Sequence, residues 1–236
     1  MGNEEKISAE RNVLEAASSL LRDLYGHFVI DPEQTDRPDA AIDVSEPKKR
    51  IGIEITSVDD QKAKAYLNDE KFGKDITRQQ LENFERDGSY TTAPRKKFDI
   101  DVHAKYIYRG AVKKLDDHKG YANTGTFDEV ILLCYSDYIT PRLSAKLGIV
   151  EWTNFFLSAD DFPYDKVIYA NVIDREAVVV YERSKPLKQK PLRYESATTT
   201  LIQGSFTPMG VEFNINNTAN QAPLIKPKQD RKKGKK

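Results

Sequence analysis

Apolar residues recur at helical spacing through residues 7 to 26. Val13, Leu14, Ala17, Leu20, Leu21 and Leu24 fall on one face at about 3.6 residues per turn, with Glu15, Ser18, Ser19 and Arg22 opposite. Ser8 offers an N-cap and Gly26 a stop. Glu10 breaks the pattern. At about 100° per residue it stands in line with Leu14, Ala17 and Leu21. A carboxylate in the first turn after Ser8 would also favour the helix dipole.

Beyond this helix the period changes to two. Residues 27–31 read as a short strand, and 39–44 and 50–58 as a hairpin turning at Ser45-Glu46-Pro47-Lys48. Gly52, Glu54 and Thr56 share one face of the second hairpin strand, and Ile53 and Ile55 the other. Residues 59–102 are polar, with a helix expected over 76–86. A second amphipathic helix is expected over 103–121. The unbroken apolar run 128–138 reads as a strand buried on both sides. A helix at 150–158 and strands at 166–173 and 177–182 follow, with Trp152, Phe155 and Phe156 read as core. The predicted class is mixed α/β, a central mixed sheet flanked by helices. The expected organisation is one domain over 1–184, an extension over 185–225 packed on or beside it, and a disordered basic tail over 226–236.

Lys plus Arg equals Asp plus Glu at 37 each, so net charge indicates no partner. The tail is the exception, with seven basic residues and one acid, and it suits phosphates or any acidic partner. A single cysteine, Cys134, excludes an intrachain disulfide framework and fits a reducing compartment. The first twenty residues carry four Glu and no long apolar core, and no stretch approaches the roughly 20 apolar residues of a membrane span. The expectation is a soluble, cytoplasmic protein without a membrane partner.

Three acids stand out. Asp39 begins the first hairpin strand, Glu54 lies inside the second, and Glu10 sits on an apolar helix face. Asp39 in Arg-Pro-Asp-Ala is by itself an ordinary turn residue. Glu54 between two isoleucines is less ordinary, because glutamate is almost never fully buried unless paired. Carboxylates brought together repel, and a hard cation such as Mg²⁺ between them relieves the repulsion.

A helix with an inward Glu, then Pro38-Asp39, a turn, and Glu54 on an apolar strand resembles the PD-(D/E)xK nuclease superfamily, whose fold is a restriction endonuclease-like mixed sheet. The element pattern covers residues 7–182 and the motif 38–56, with the acids fifteen positions apart. The resemblance implies a Mg²⁺- or Mn²⁺-dependent nuclease acting on nucleic acid, DNA in the first place, in restriction or antiviral defence; a homodimer is compatible with it. Asp39 and Glu54 would hold the metal with Glu10 as a third acid. The family's lysine is replaced by Thr56, whose hydroxyl could bond a metal-bound water but carries no charge. Lys114, at the edge of the second helix's apolar face, is the favoured substitute over Lys105, Lys62 and Lys64. The alternative is a catalytically inactive module of the same fold that binds nucleic acid or a protein.

Overall fold

The computed structural model describes residues 3–70, 72–122, 125–204 and 206–228. In chain order these form helix α1 (Asn3–Tyr25), strands β1 (Phe28–Ile30), β2 (Ala40–Val44) and β3 (Lys49–Ser57), and helices α2 (Gln61–Asn68) and α3 (Gly73–Asp87). Strand β4 (Lys96–Val102) precedes α4 (Tyr106–Ala111), a 3-10 turn (Val112–Lys114) and α5 (Leu115–Ala122). Then come β5 (Glu129–Ser136), α6 (Pro141–Lys146), α7 (Ile149–Ala159), β6 (Lys166–Asn171), β7 (Glu176–Glu182), β8 (Ala197–Gln203) and α8 (Ile215–Asn220).

The chain divides into two compact units, 1–59 with 102–197 and 60–101 with 198–236. The first holds a six-stranded mixed sheet in the order β1-β2-β3-β5-β6-β7. β1, β2 and β3 form an antiparallel meander, β3, β5 and β6 run parallel, and β7 returns antiparallel. Central strands covered on both faces need apolar side chains throughout, and six consecutive residues of β3 are buried.

Strand alternation divides the sheet into two faces. Ala40, Ile42, Ile51, Ile53, Ile55, Ile131 and Leu133 meet Val13, Leu14, Ala17 and Leu21 of α1 in one apolar core. Leu14 and Leu21 are 1% exposed, and each stabilises the fold by about 1.5–3 kcal/mol through burial. Glu54, Thr56 and Cys134 take the opposite face, beneath α4 and its continuation. Gly110 allows that helix onto the end of β3: a Cβ there would stand 2.4 Å from Val58 Cγ1.

The second unit is built from α2, α3, α8 and the two-stranded sheet β4-β8. Thr200 donates to Asp99 at 2.7 Å, Tyr66 to the Ile225 carbonyl at 2.5 Å and Lys97 to the Ala219 carbonyl at 2.6 Å. The units therefore do not follow the expected boundary at 184. β4 was hidden in the polar stretch 59–102 because its partner lies about a hundred residues onward, beyond any local pattern. Residues 226–228 of the expected tail are exposed, and 229–236 lie outside the described residues.

Two helices differ from expectation. α1 begins at Asn3, so Ser8 lies inside it and Glu10 sits beyond the first turn, where the dipole no longer explains a carboxylate. The helix expected over 103–121 is broken by the 3-10 turn at Val112–Lys114. Trp152, Phe155 and Phe156 are half-buried on the outer side of α7, not core. Among the described residues no helix is long and apolar enough to cross a membrane.

Candidate active site

The register of the β2–β3 hairpin creates the site. Pairing ends at Ala40 opposite Ile53, so Asp39 stands beside Glu54. Past that point the Ile55 amide has lost its partner strand. Asp39 Oδ2 accepts from it at 2.9 Å, a carboxylate standing where a carbonyl would be. Gly52 keeps this corner tight: a Cβ would lie 2.9 Å from Pro38 Cγ and 3.1 Å from the Phe127 ring. The residue before Asp39 is thereby pressed directly onto β3.

Glu54 is 2% exposed. Its Oε1 accepts from Lys114 Nζ at 2.5 Å and its Oε2 from Tyr121 Oη at 2.6 Å. Lys114 ends the 3-10 turn and Tyr121 lies on α5, so the break between α4 and α5 places both donors over β3. Tyr164 holds this turn by donating to the Lys114 carbonyl at 3.0 Å. Lys114 also meets Asp117 at 3.2 Å.

Burial raises the proton affinity of Glu54, and the nearby charge of Asp39 adds to it; Lys114 and Tyr121 pull the other way, and the net shift is upward. Burial is the largest influence on Lys114 and would lower it, but the hydrogen bond and charge of Glu54, with Asp117 and Asp39, together outweigh burial and the net shift is upward. Burial, then its hydrogen bond to Glu54, pushes the Tyr121 phenol up, so it remains a donor.

Glu10 approaches from the other face of the sheet. Lys6, one helical turn before it, lies 3.3 Å from Glu10 Oε1 and 3.3 Å from Asp39 Oδ1. Burial, then the charge of Asp39, raises Glu10, while Lys6 opposes. Glu10 Oε2 is buried with no hydrogen-bond partner. Asp39 thus stands in a notch at the end of β2 with Glu10 on one side and Glu54 on the other. An ammonium accompanies each flanking acid.

The structure brings Asp39, Glu54 and Lys114 into one site, with Glu10 joined through Lys6. Thr56 lies buried two residues past Glu54 on the same face, without charge. Lys105 is elsewhere, over the rings of Tyr108 and Phe156 at 5.7 and 5.0 Å. Lys62 and Lys64 belong to the second unit. Lys6 and Tyr121 were missed. The i,i+4 spacing of Lys6 to Glu10 was a visible signal, whereas the contact of Tyr121 crosses 67 positions. A further buried acid, Asp59 at the end of β3, accepts from Tyr106 at 2.8 Å, Ser136 at 2.6 Å and the Asp137 amide at 2.9 Å. These bonds tie β3 to α4 and β5.

The donors at the site are hard carboxylate oxygens, which suit Mg²⁺ or Mn²⁺ better than a soft metal. Mg²⁺ commonly takes only one or two carboxylates and completes its shell with water and phosphate. Among the described residues no group of three His, Cys, Asp or Glu is spaced to enclose a metal ion. No family model, curated protein or solved structure matches the chain.

Proposed function

We propose that this chain is a metal-dependent nuclease that hydrolyses phosphodiester bonds in DNA, with restriction or antiviral defence as its setting. One observation carries the reading: a lysine from a different element, Lys114, places its ammonium 2.5 Å from Glu54, beside Asp39, where the motif's own lysine is replaced by Thr56. The orphaned Glu10 Oε2 and the mutual repulsion of the acids support a cation position at Asp39 and Glu54, with Glu10 behind. When bound there, a divalent ion would polarise the scissile phosphate and lower the pKa of its water.

The protein groups have separable tasks. The Ile55 amide locks Asp39 Oδ2, while Oδ1 accepts from Lys6 at 3.3 Å. Tyr121 fixes the rotation of Glu54 through Oε2. Lys114 opposes the rise that burial imposes on Glu54 and presents positive charge to a phosphate as negative charge develops on it. Lys6 is 48% exposed, but the acids it pairs with, Glu10 and Asp39, are 14% and 8% exposed, so a cation seated at Asp39 would have to replace the charge that Lys6 withdraws.

Lys6 also favours a second reading. Its ammonium already balances Glu10 and Asp39, as a catalytically inactive, internally neutralised module would require. Cleavage of plasmid and linear DNA with Mg²⁺ or Mn²⁺, beside EDTA controls, separates the two. The nuclease reading expects metal-dependent cutting that Asp39→Ala, Glu54→Ala and Lys114→Ala each reduce at least a hundredfold. No cutting of DNA or RNA by the parent protein, or cutting untouched by these substitutions, overturns it.

A further inference from the structure

The segment 183–193, Arg-Ser-Lys-Pro-Leu-Lys-Gln-Lys-Pro-Leu-Arg, holds five basic residues and no acid. It has no regular secondary structure, yet it is fastened at defined points across α7. The Leu187 amide donates to Ser158 Oγ at 2.9 Å, the Trp152 indole N–H to the Arg193 carbonyl at 2.7 Å and the Glu195 amide to the Leu147 carbonyl at 3.1 Å. Gly148, at φ +75°, admits the crossing: a Cβ there would stand 2.7 Å from the Arg193 carbonyl oxygen. Lys188, Lys190 and Arg193 are exposed between or at these anchors.

Beside this strap, cations and rings alternate. Lys190 Nζ lies 5.5 Å from the Trp152 ring, Trp152 is 5.3 Å from Phe156, and Lys105 Nζ is 5.0 Å from Phe156 and 5.7 Å from Tyr108. The rings are half-buried, with Tyr194 at the edge of Trp152. Lys105 immediately precedes α4, the helix that leads through the 3-10 turn to Lys114.

We infer that this strap and ridge bind single-stranded nucleic acid, the lysines and arginine taking phosphates and the rings stacking on bases. An acidic polypeptide needs only the charges. The interleaved rings are what bases use, and base–aromatic stacking accepts any sequence. The inference deepens the nuclease reading and rests on it for the ligand class, giving the substrate a path along the helical layer that carries Lys114.

Trp152 is the only tryptophan of the chain, so its fluorescence reports on the ridge alone. The full-length protein is titrated with oligothymidylate in EDTA, where cleavage is silent, so failure here and failure of the nuclease reading remain distinct. The expected result is a saturable quench. Lys188→Ala/Lys190→Ala/Arg193→Ala weakens it at least tenfold, and the slope of log affinity against log salt falls by about 2, from about 0.7 per lost phosphate contact. Lys105→Ala, at the far end of the ridge, weakens it several-fold. Binding without a quench, a quench unchanged by the triple variant, equal binding of duplex DNA, or equal displacement by polyglutamate each overturns the inference.

Discussion

Replacing Lys114 by methionine keeps the length and apolar stem of the side chain and removes only the ammonium. Unit charges 2.5 Å apart attract by roughly 6–7 kcal/mol at an effective dielectric of about 20. Withdrawing both groups from water offsets much of that gross value. What matters for the variant is the acid left behind. Glu54 has a side chain 3% exposed against 26% for Lys114, and breaking a buried pair from one side costs about 3–5 kcal/mol. Tyr121 continues to donate to Oε2, so the low end applies, about 3 kcal/mol.

The deficit must depend on pH. Without the ammonium, burial and Asp39 raise the folded pKa of Glu54 further above its unfolded value. A group raised in this way contributes stability that is present below the unfolded pKa and lost as pH rises through the folded one. The deficit should therefore be largest at neutral pH and shrink on acidification towards the ordinary carboxylate range. Glu54→Gln/Lys114→Met removes both charges and should recover most of the loss. Urea unfolding of the parent and three variants at several pH values measures this. A Lys114→Met deficit below about 1 kcal/mol, or one flat with pH, would refute the buried-pair argument.

Three further outcomes are expected. Glu10→Gln removes a buried acid whose pKa is raised in the fold, so the stability that the parent loses as pH rises from the unfolded carboxylate range should be smaller in the variant, while metal-dependent cleavage falls; denaturant midpoints across pH check the first and the DNA assay the second. Gly52→Ala drives a Cβ to 2.9 Å from Pro38 Cγ, which should cost about 1–3 kcal/mol by overpacking and reduce cleavage more than its stability loss explains, because Pro38 carries Asp39. Cys134 is fully buried and its thiol is pushed up by desolvation, so a thiol reagent should leave the native protein unlabelled and react only on unfolding.

Much of the first unit was readable along the chain. α1, the β2–β3 hairpin, β5, α7, β6 and β7 declare themselves by period, because each buries a face or both faces over a short local stretch. Glu10 and Glu54 were visible for the same reason, as charges inside otherwise apolar patterns. Lys114 could be named only as one lysine among several, since an exposed lysine and one reaching over a strand have the same local sequence. The ring ladder of Lys190, Trp152, Phe156 and Lys105 joins segments that share no period, and α7 alone looked like core.

Composition and periodicity thus determine which segments are helix or strand and which acids are misplaced, because both depend on neighbours a few residues away. The register that sets Asp39 beside Glu54, the 3-10 break that brings Lys114 and Tyr121 over β3, and the pairing of β4 with β8 were decided by tertiary structure. Each rests on contacts between residues far apart in the chain, where only the closing of the core makes one partner available rather than another.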